Sequence, residues 1–298
     1  MLTLAVGQHA IQSFRDWDQF ATSMEHEVAT AAGQGADILV FGEHLGCLLA
    51  RTFSLDVYTD LYAQLEALQT LQNDFIDIFA YLARTYQVNL IAPSIPWQEE
   101  AGTSYHARTW VFNHQGAGAY QDKQVLTRAE NEHWGMRAAK VQQVFALAGG
   151  RIGILPGYAA EFPQYARALC EQGANLLLVP SWTQTHAGYW RLRYACQARA
   201  VEQQCYVAQA TVIGESDWSP MLDQGMGSAG VFTPCDYGFP AEGVLALGDG
   251  QRSGWVYAKV DLGRIDHIRA HGQVLNFRDW GRYQGMSTQK AALHTGFF

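Results

Sequence analysis

The segment from residue 152 to residue 170 constrains the fold of this chain more than any other. An apolar run that begins at Ile152 predicts a buried strand, and apolar residues at helical spacing after Phe162-Pro163 predict a helix. The connection is a sharp elbow with Gly157 at its apex. Enzymes place nucleophiles on such elbows, because the side chain projects clear of the strand while backbone N–H groups can face an oxyanion. Gly157 has no side chain to project.

The composition of the 298 residues indicates a folded protein with a substantial core. Hydrophobic residues make up 48% of the chain and charged residues 16%, which excludes a disordered protein. The formal net charge is -8 and no basic run occurs, which argues against nucleic acid and an anionic membrane surface as partners. No stretch reaches the roughly 18 consecutive apolar residues of a membrane span.

The five cysteines predict reduced thiols in a cytoplasmic protein, because their number is odd and no CxxC spacing occurs. We expect them to be small buried hydrophobic residues. The segment 1–8 lacks the regions of a signal peptide and predicts a strand. The glycine-rich segment 225–230 lacks the lysine of a phosphate loop. The sequence therefore indicates neither a cofactor nor a metal.

Predicted strands and helices alternate along the chain, which favours one α/β domain over residues 1–298, with a tail from about 281. The pattern alone does not distinguish one sheet from two. Apolar spacing predicts one long helix over 61–84 and one strand over 206–212. The other predicted elements are strands at 2–6, 38–41, 89–92, 176–179 and 255–260, a hairpin over 109–120, and helices over 17–31, 189–204 and part of the segment after 261.

Three charged residues are candidates for a ligand site. Glu43 follows a predicted strand, and ligand sites of α/β sheets gather at the carboxyl ends of strands. Lys123 and Glu130 lie seven residues apart in a loop near the middle of the chain. Alone, Glu43 would be a solvated turn residue, and the other two an ordinary surface pair worth under about 1 kcal/mol. The residues alone therefore do not establish a site.

The elbow resembles the nucleophile segment of the nitrilase, or carbon-nitrogen hydrolase, superfamily. That segment has a glycine, a short apolar strand, a Cys, an aromatic residue, an Asp and then Glu-Phe-Pro. In this chain Gly157 takes the Cys position and Ala159 the Asp position, while Tyr158 and Glu161-Phe162-Pro163 match. Glu43, Lys123 and Glu130 match the superfamily's other site positions. The resemblance extends over residues 1 to about 280 and is greatest to the bacterial amidase-like branch.

The resemblance implies the four-layer αββα sandwich of the superfamily, usually dimerised so that sheets continue across the interface. In a relative with the Cys, the carboxylate at position 43 takes the thiol proton. Lys123 and the backbone N–H after the nucleophile stabilise the tetrahedral oxyanion. Glu130 positions the substrate amide or a water and holds Lys123 charged. An acyl-enzyme forms, an amine or ammonia leaves, and water regenerates the thiol.

Three aromatic residues beside the motifs are candidates for substrate binding. Tyr158 follows the elbow apex, and Trp134 and Trp182 lie next to matching segments, although tryptophans at such places are as often part of a core. Cys47 is the nearest thiol to Glu43 in the sequence. Elbow geometry does not transfer to a loop residue, so we do not expect Cys47 to replace the nucleophile.

The resemblance implies binding of, or action on, a small amide or carboxylate, with normal Cys-dependent turnover lost because of Gly157. Loss of a nucleophile lowers turnover by about 10⁶, or about 8 kcal/mol of barrier. We also expect the missing side chain to leave free volume beside Lys123. Two alternatives stay open: weak hydrolysis in which Glu43 activates water, and a non-catalytic structural role beside an active paralogue.

Overall fold

The computed structural model describes residues 1–282, which form two β-sheets flanked by helices. The strands in this part of the chain are β1 (Leu2–Ala10), β2 (Ile38–Val40), β3 (Asn89–Ile91), β4 (Ile95–Trp97), β5 (His106–Phe112), β6 (Gly118–Asp122), β7 (Val144–Leu147), β8 (Gly150–Ile154), β9 (Leu176–Val179), β10 (Tyr206–Gln209), β11 (Thr211–Glu215), β12 (Gln224–Gly225), β13 (Gly230–Phe232), β14 (Val244–Leu247) and β15 (Gly254–Val260). The α-helices are α1 (Trp17–Gly33), α2 (Leu55–Tyr58), α3 (Leu61–Leu68), α4 (Gln72–Tyr86), α5 (Pro163–Glu171), α6 (His186–Gln203), α7 (Leu262–His271) and α8 (Asn276–Arg282).

The first sheet runs in the order β12-β11-β1-β2-β3-β5-β4, with β15 also paired to β1 and β6 to β5. The second sheet runs in the order β14-β13-β10-β9-β8-β7. Parallel pairs join β1 to β2, β2 to β3, β8 to β9 and β9 to β10. Parallel strands require crossover connections, and the helices supply them.

Side-chain alternation along the strands produces the layers. In β2, Leu39 packs with residues of α1, α3 and α4, whereas Ile38 and Val40 face the second sheet. In β9, Leu177 packs with residues of α5 and α6, while Leu178 faces the first sheet. The order is therefore helices, sheet, sheet, helices, and the four-layer αββα prediction is confirmed.

The prediction of one strand over 206–212 is wrong. The segment contains two strands in different sheets: β10 pairs with β9, and β11 pairs with β1. The chain crosses between the sheets at Ala210, whose N–H donates to the Val179 carbonyl at 3.0 Å. The residues of both strands next to the crossing are buried, so the apolar pattern carries no mark of it.

The prediction of one helix over 61–84 is also wrong. A short 3₁₀ turn, Gln69–Leu71, separates α3 from α4. Gln69 bonds to the neighbouring extended segment, donating to the Pro96 carbonyl at 3.1 Å and accepting from Gln98 N–H at 2.9 Å. These bonds fix the chain to β4 at the interruption, which apolar spacing does not reveal.

The remaining predicted elements are present with small changes of boundary. The hairpin is β5 and β6, an antiparallel pair, and the elbow lies between β8 and α5. Four cysteines are buried as expected, but Cys235 is exposed, which corrects the prediction for that residue. Of the predicted tail, residues 283–298 lie outside the described residues. Within the described part, no helix combines the length and apolar character that crossing a membrane requires.

Candidate active site

The end of β9 fixes two of the candidate residues side by side. Gly157 N–H donates to the Pro180 carbonyl at 2.8 Å, and Glu43 N–H donates to the Ser181 carbonyl at 3.2 Å. Glu43 follows β2 of the first sheet, and Gly157 follows β8 of the second. The site therefore lies where the carboxyl ends of strands from both sheets meet.

Lys123 and Glu130 enter the site from the loop after β6. Lys123 N–H donates to the Ala107 carbonyl of β5 at 3.0 Å, so the lysine begins where the hairpin ends. Glu130 lies in a single π-helical turn, Ala129–His133, preceded by Thr127. Both side chains are 1% exposed. A turn of this kind is frequent at functional sites.

The charged groups form one buried cluster. Lys123 Nζ lies 2.8 Å from Glu43 Oε1 and donates to Glu130 Oε1 at 2.7 Å. Glu43 Oε1 is held by this ion pair without a hydrogen bond, whereas Glu130 Oε1 accepts a hydrogen bond from Lys123. The structure thus brings together the three charged residues that the sequence singled out.

Burial and proximity set the charges of this cluster. Burial raises the pKa of Glu43, and the Lys123 ammonium opposes that rise. Burial acts in the same direction on Glu130, but Lys123 and the hydrogen bond from His44 outweigh it and hold its pKa well below the usual range. Burial disfavours the Lys123 ammonium, yet the two carboxylates raise its pKa. The cluster therefore contains a firmly charged Lys123–Glu130 pair and a carboxyl, Glu43, that is closer to taking a proton.

Gly157 does not leave the empty space that the sequence analysis expected. A Cβ placed on Gly157 would overlap Glu43 Oε2 and lie 3.2 Å from its Cδ. The Glu43 carboxylate therefore fills the place of the missing side chain, because no Cβ holds it away. Gly157 also has φ +39°, a conformation that L side chains adopt with strain.

The backbone of the elbow keeps one donor unused. Gly157 N–H bonds to Pro180 and Ala159 N–H to the Pro156 carbonyl, while the described residues show no hydrogen bond from Tyr158 N–H. This N–H directly follows Gly157, the residue that the resemblance places at the nucleophile position. The Tyr158 ring is half-buried and packs edge-on against Phe162, with centroids 4.9 Å apart.

His44 belongs to the site although no sequence motif singled it out. Its Nε2 lies 2.7 Å from Glu130 Oε1, and its side chain is completely buried. The ring meets Trp134 edge-on at 5.1 Å and Trp182 at 5.8 Å, and the two tryptophans stack on each other. The tryptophans thus border the cluster through His44. A histidine directly after a glutamate at a strand end was the available signal.

Glu43, His44 and Glu130 bring potential metal-ligating atoms within 4.8 Å of one another. The Lys123 ammonium already lies against both carboxylates and carries the positive charge that an ion would supply. The arrangement fits an ion-paired cluster and gives no reason to place a metal there.

Cys47 lies in the same region but is unsuited to attack. Its thiol is buried, and burial together with Glu130 and Glu43 raises its pKa well above the usual range. The thiolate, which is the reactive form, is therefore suppressed.

We predict that iodoacetamide leaves Cys47 unmodified in the folded protein at pH 7.5. Exposed Cys235 is the internal control and should be alkylated under the same conditions. In urea both should react. Peptide mass spectrometry measures alkylation at each cysteine. Alkylation of Cys47 at the rate of Cys235 would contradict the conclusion that Cys47 is buried and unreactive.

The sequence profile described as Carbon-nitrogen hydrolase matches residues 3–270. The chain belongs to the carbon-nitrogen hydrolase family. It is 30% identical over 281 residues to the probable hydrolase YhcX of Bacillus subtilis (strain 168), which covers 93% of this chain. The match spans 53% of that relative, so the chain spans about half its length.

Two solved structures share the fold of this chain. A carbon-nitrogen hydrolase from Helicobacter pylori G27 superposes with a TM-score of 0.75 at 18% identity, covering 97% of this chain and 98% of that chain. A cysteine-to-alanine mutant of the amidase from Nesterenkonia sp. AN1, in complex with butyramide, gives a TM-score of 0.66 at 21% identity. It covers 91% of this chain and 95% of the amidase.

Proposed function

We propose that this chain binds a small amide or carboxylate at the Glu43, Lys123 and Glu130 cluster and has lost Cys-dependent turnover. The observation that carries the proposal is a buried, charge-paired cluster directly beside Gly157, at an elbow where a nucleophile would project. Without a thiol at that position no acyl-enzyme can form. The unused Tyr158 N–H and the Lys123 ammonium supply donors for a carbonyl oxygen.

The comparisons support binding without the thiol. The Nesterenkonia mutant was crystallised with butyramide although one of its cysteines is replaced by alanine. Butyramide is therefore the natural first probe for this chain, and butyrate, which has the same carbon skeleton, is its carboxylate counterpart. For ligands this small we expect dissociation constants on the order of 1 mM.

Calorimetry with butyramide and butyrate tests the proposal. The parent chain should bind at least one of them, and Lys123→Met should weaken that binding by about tenfold or more, because a charge-assisted hydrogen bond is lost. Lys140→Met is the matched control, since Lys140 is exposed and should leave affinity unchanged. Binding that is equal in the parent and in a folded Lys123→Met variant would contradict the proposal.

The homodimer or higher homo-oligomer and the cytoplasmic location stay predictions, as does the alternative role beside an active paralogue. Two aromatic side chains on α6 support an association surface: Trp190 is 43% exposed and Tyr194 is 63% exposed. Exposed aromatic residues on a helix are enriched where proteins meet.

A further inference from the structure

Glu130 accepts four hydrogen bonds. Its Oε1 accepts from Lys123 Nζ and lies 2.7 Å from His44 Nε2. Its Oε2 accepts from Thr127 N–H at 2.7 Å and from Thr127 Oγ1 at 2.9 Å. An ionised carboxylate offers about four lone-pair positions. Glu130 is therefore saturated, and a ligand N–H could bond to it only by displacing a protein donor.

Glu43 is in the opposite situation. Its Oε1 lies in the ion pair with Lys123, and its Oε2 receives no hydrogen bond from the described residues. This free oxygen faces Gly157, at the place where the family's nucleophile side chain would begin. Of the two buried carboxylates, Glu43 is the one with lone pairs available to a ligand.

His44 occupies a lone pair of Glu130 and none of Glu43, and several contacts fix its position. Its backbone has φ 61°, a left-handed conformation that costs free energy in a non-glycine residue. The backbone N–H donates to Ser94 Oγ at 2.8 Å, and the ring lies against Trp134 and Trp182. A strained, fully buried histidine aimed at Glu130 persists only when its surroundings hold it there.

We infer that His44 is a positioning residue that closes Glu130 to the ligand and leaves Glu43 as the carboxylate that accepts the ligand's N–H. The inference rests on the proposed function and narrows its ligand class to compounds with a primary amide or a similar carbamoyl group. Such a group offers N–H donors and one carbonyl acceptor. Its N–H groups suit Glu43 Oε2, and its oxygen suits the Tyr158 N–H and an N–H of Lys123 that is not bonded to Glu130.

A carboxylate suits this site less well. Its oxygens would face the free oxygen of Glu43, and two carboxylates in contact share a site only when one takes a proton. The groups around Glu43 are Lys123, His44, Glu130 and Cys47, and Lys123 is already paired with Glu130. Butyrate binding should therefore take up a proton and strengthen as the pH falls, while butyramide binding should not.

A double-mutant cycle on butyramide affinity tests the role of His44. Glu43→Gln alone should weaken binding by about tenfold or more, because Lys123 attracts the Gln oxygen and the Gln NH₂ then opposes the ligand NH₂. His44→Asn tolerates the left-handed backbone but is too short to reach Glu130. The His44→Asn substitution leaves one lone pair of Glu130 without a donor. The Glu130 carboxylate oxygen lies within 4.8 Å of the ligating atoms of Glu43 and His44, so it can accept the ligand N–H in place of Glu43. In this background Glu43→Gln should cost less than about threefold.

His44→Gln restores a donor at nearly the same place, so the Glu43→Gln penalty should return to about tenfold in that background. A merely structural role for His44 would leave the penalty equal in all backgrounds, and that result would overturn the inference. If the parent fails to bind butyramide and butyrate, the proposed function itself fails. If the parent binds butyramide but Glu43→Gln weakens binding equally in every His44 background, the role of His44 is refuted and the proposed function stands.

A measurement on the parent covers the case in which His44→Asn does not fold. The carboxyl ¹³C signals of Glu43 and Glu130 can be assigned with the two Glu→Gln variants. Adding butyramide should shift the Glu43 signal and leave the Glu130 signal in place. A shift of Glu130 without one of Glu43 would overturn the inference.

Discussion

Gly157→Cys should gain a reactive thiol and measurable amidase activity. The substitution places a thiol beside Glu43, Lys123 and the unused Tyr158 N–H, a base and two donors of the kind that acyl transfer uses. Loss of a nucleophile costs about 10⁶ in turnover, so the gain can reach that order. Ammonia release from butyramide measures turnover, and mass spectrometry after iodoacetamide locates the labelled residue.

The structure adds a condition to this result. A Cβ at residue 157 overlaps Glu43 Oε2, so the Glu43 carboxylate must rotate away. The overlapping atom, Glu43 Oε2, is at the end of a flexible side chain, so its movement costs little free energy. The positive φ of residue 157 adds about 1–2 kcal/mol of strain, which should appear as a lower free energy of unfolding.

Gly157→Ala is the matched control, because it introduces the same Cβ and the same backbone strain without a thiol. It should lose similar stability and show no activity above the parent. Equal activity in the Ala and Cys variants would exclude thiol catalysis. Glu43→Gln in the parent background tests the alternative of direct water activation, since an unchanged background rate removes that idea.

Adding Ala159→Asp, which restores the superfamily's Asp, should not increase the amidase activity of Gly157→Cys. Ala159 is completely buried in the apolar cluster between the second sheet and helices α5 and α6. An Asp there would be an ionisable group without a designed partner, which is costly in such surroundings. The single substitution Gly157→Cys is therefore the better experiment.

Alternating apolar runs predicted an α/β domain, and the resemblance carried by the elbow motif supplied the two sheets and four layers. The sequence predicted the charged cluster through the resemblance to the carbon-nitrogen hydrolase superfamily, whose pattern is matched by Glu43 after a strand and by Lys123 with Glu130 seven residues apart. These features are local, or are fixed by the order of the elements. Nothing in them depends on the detailed positions of side chains.

The features that the sequence did not predict depend on tertiary contacts. Whether 206–212 is one strand or two depends on which sheet each half joins, and both sheets bury the same residue types. The contact of His44 with Glu130 spans 86 positions. The occupation of the Gly157 position by the Glu43 carboxylate follows from a missing side chain, which an apolar pattern cannot register.

Lys123→Met should destabilise the protein by about 3–5 kcal/mol at pH 7, because it leaves two buried carboxylates without their shared cation. Urea unfolding measures the change. Lys140→Met is the control for removing a lysine charge, and the exposed position of Lys140 should leave stability unchanged.

The pH dependence of this deficit follows from the directions of the pKa shifts. Glu130 has a lowered pKa in the folded parent, so its contribution is present above pH 4.5 and is lost as the pH falls below that value. Lys123 has a raised pKa, so its contribution is present below pH 10.5 and is lost as the pH rises through the folded value. Glu130 and Lys123 therefore both stabilise the folded parent at pH 7, and Lys123→Met lacks this stabilisation.

Lowering the pH should narrow the gap between the parent and Lys123→Met. In the variant, Glu43 and Glu130 are buried without a cation and should take up protons at higher pH than in the parent. Adding Glu43→Gln and Glu130→Gln to Lys123→Met removes the buried charges together and should recover much of the lost stability. A triple variant as unstable as Lys123→Met, with a deficit independent of pH, would show that the lysine acts through packing and not through its charge.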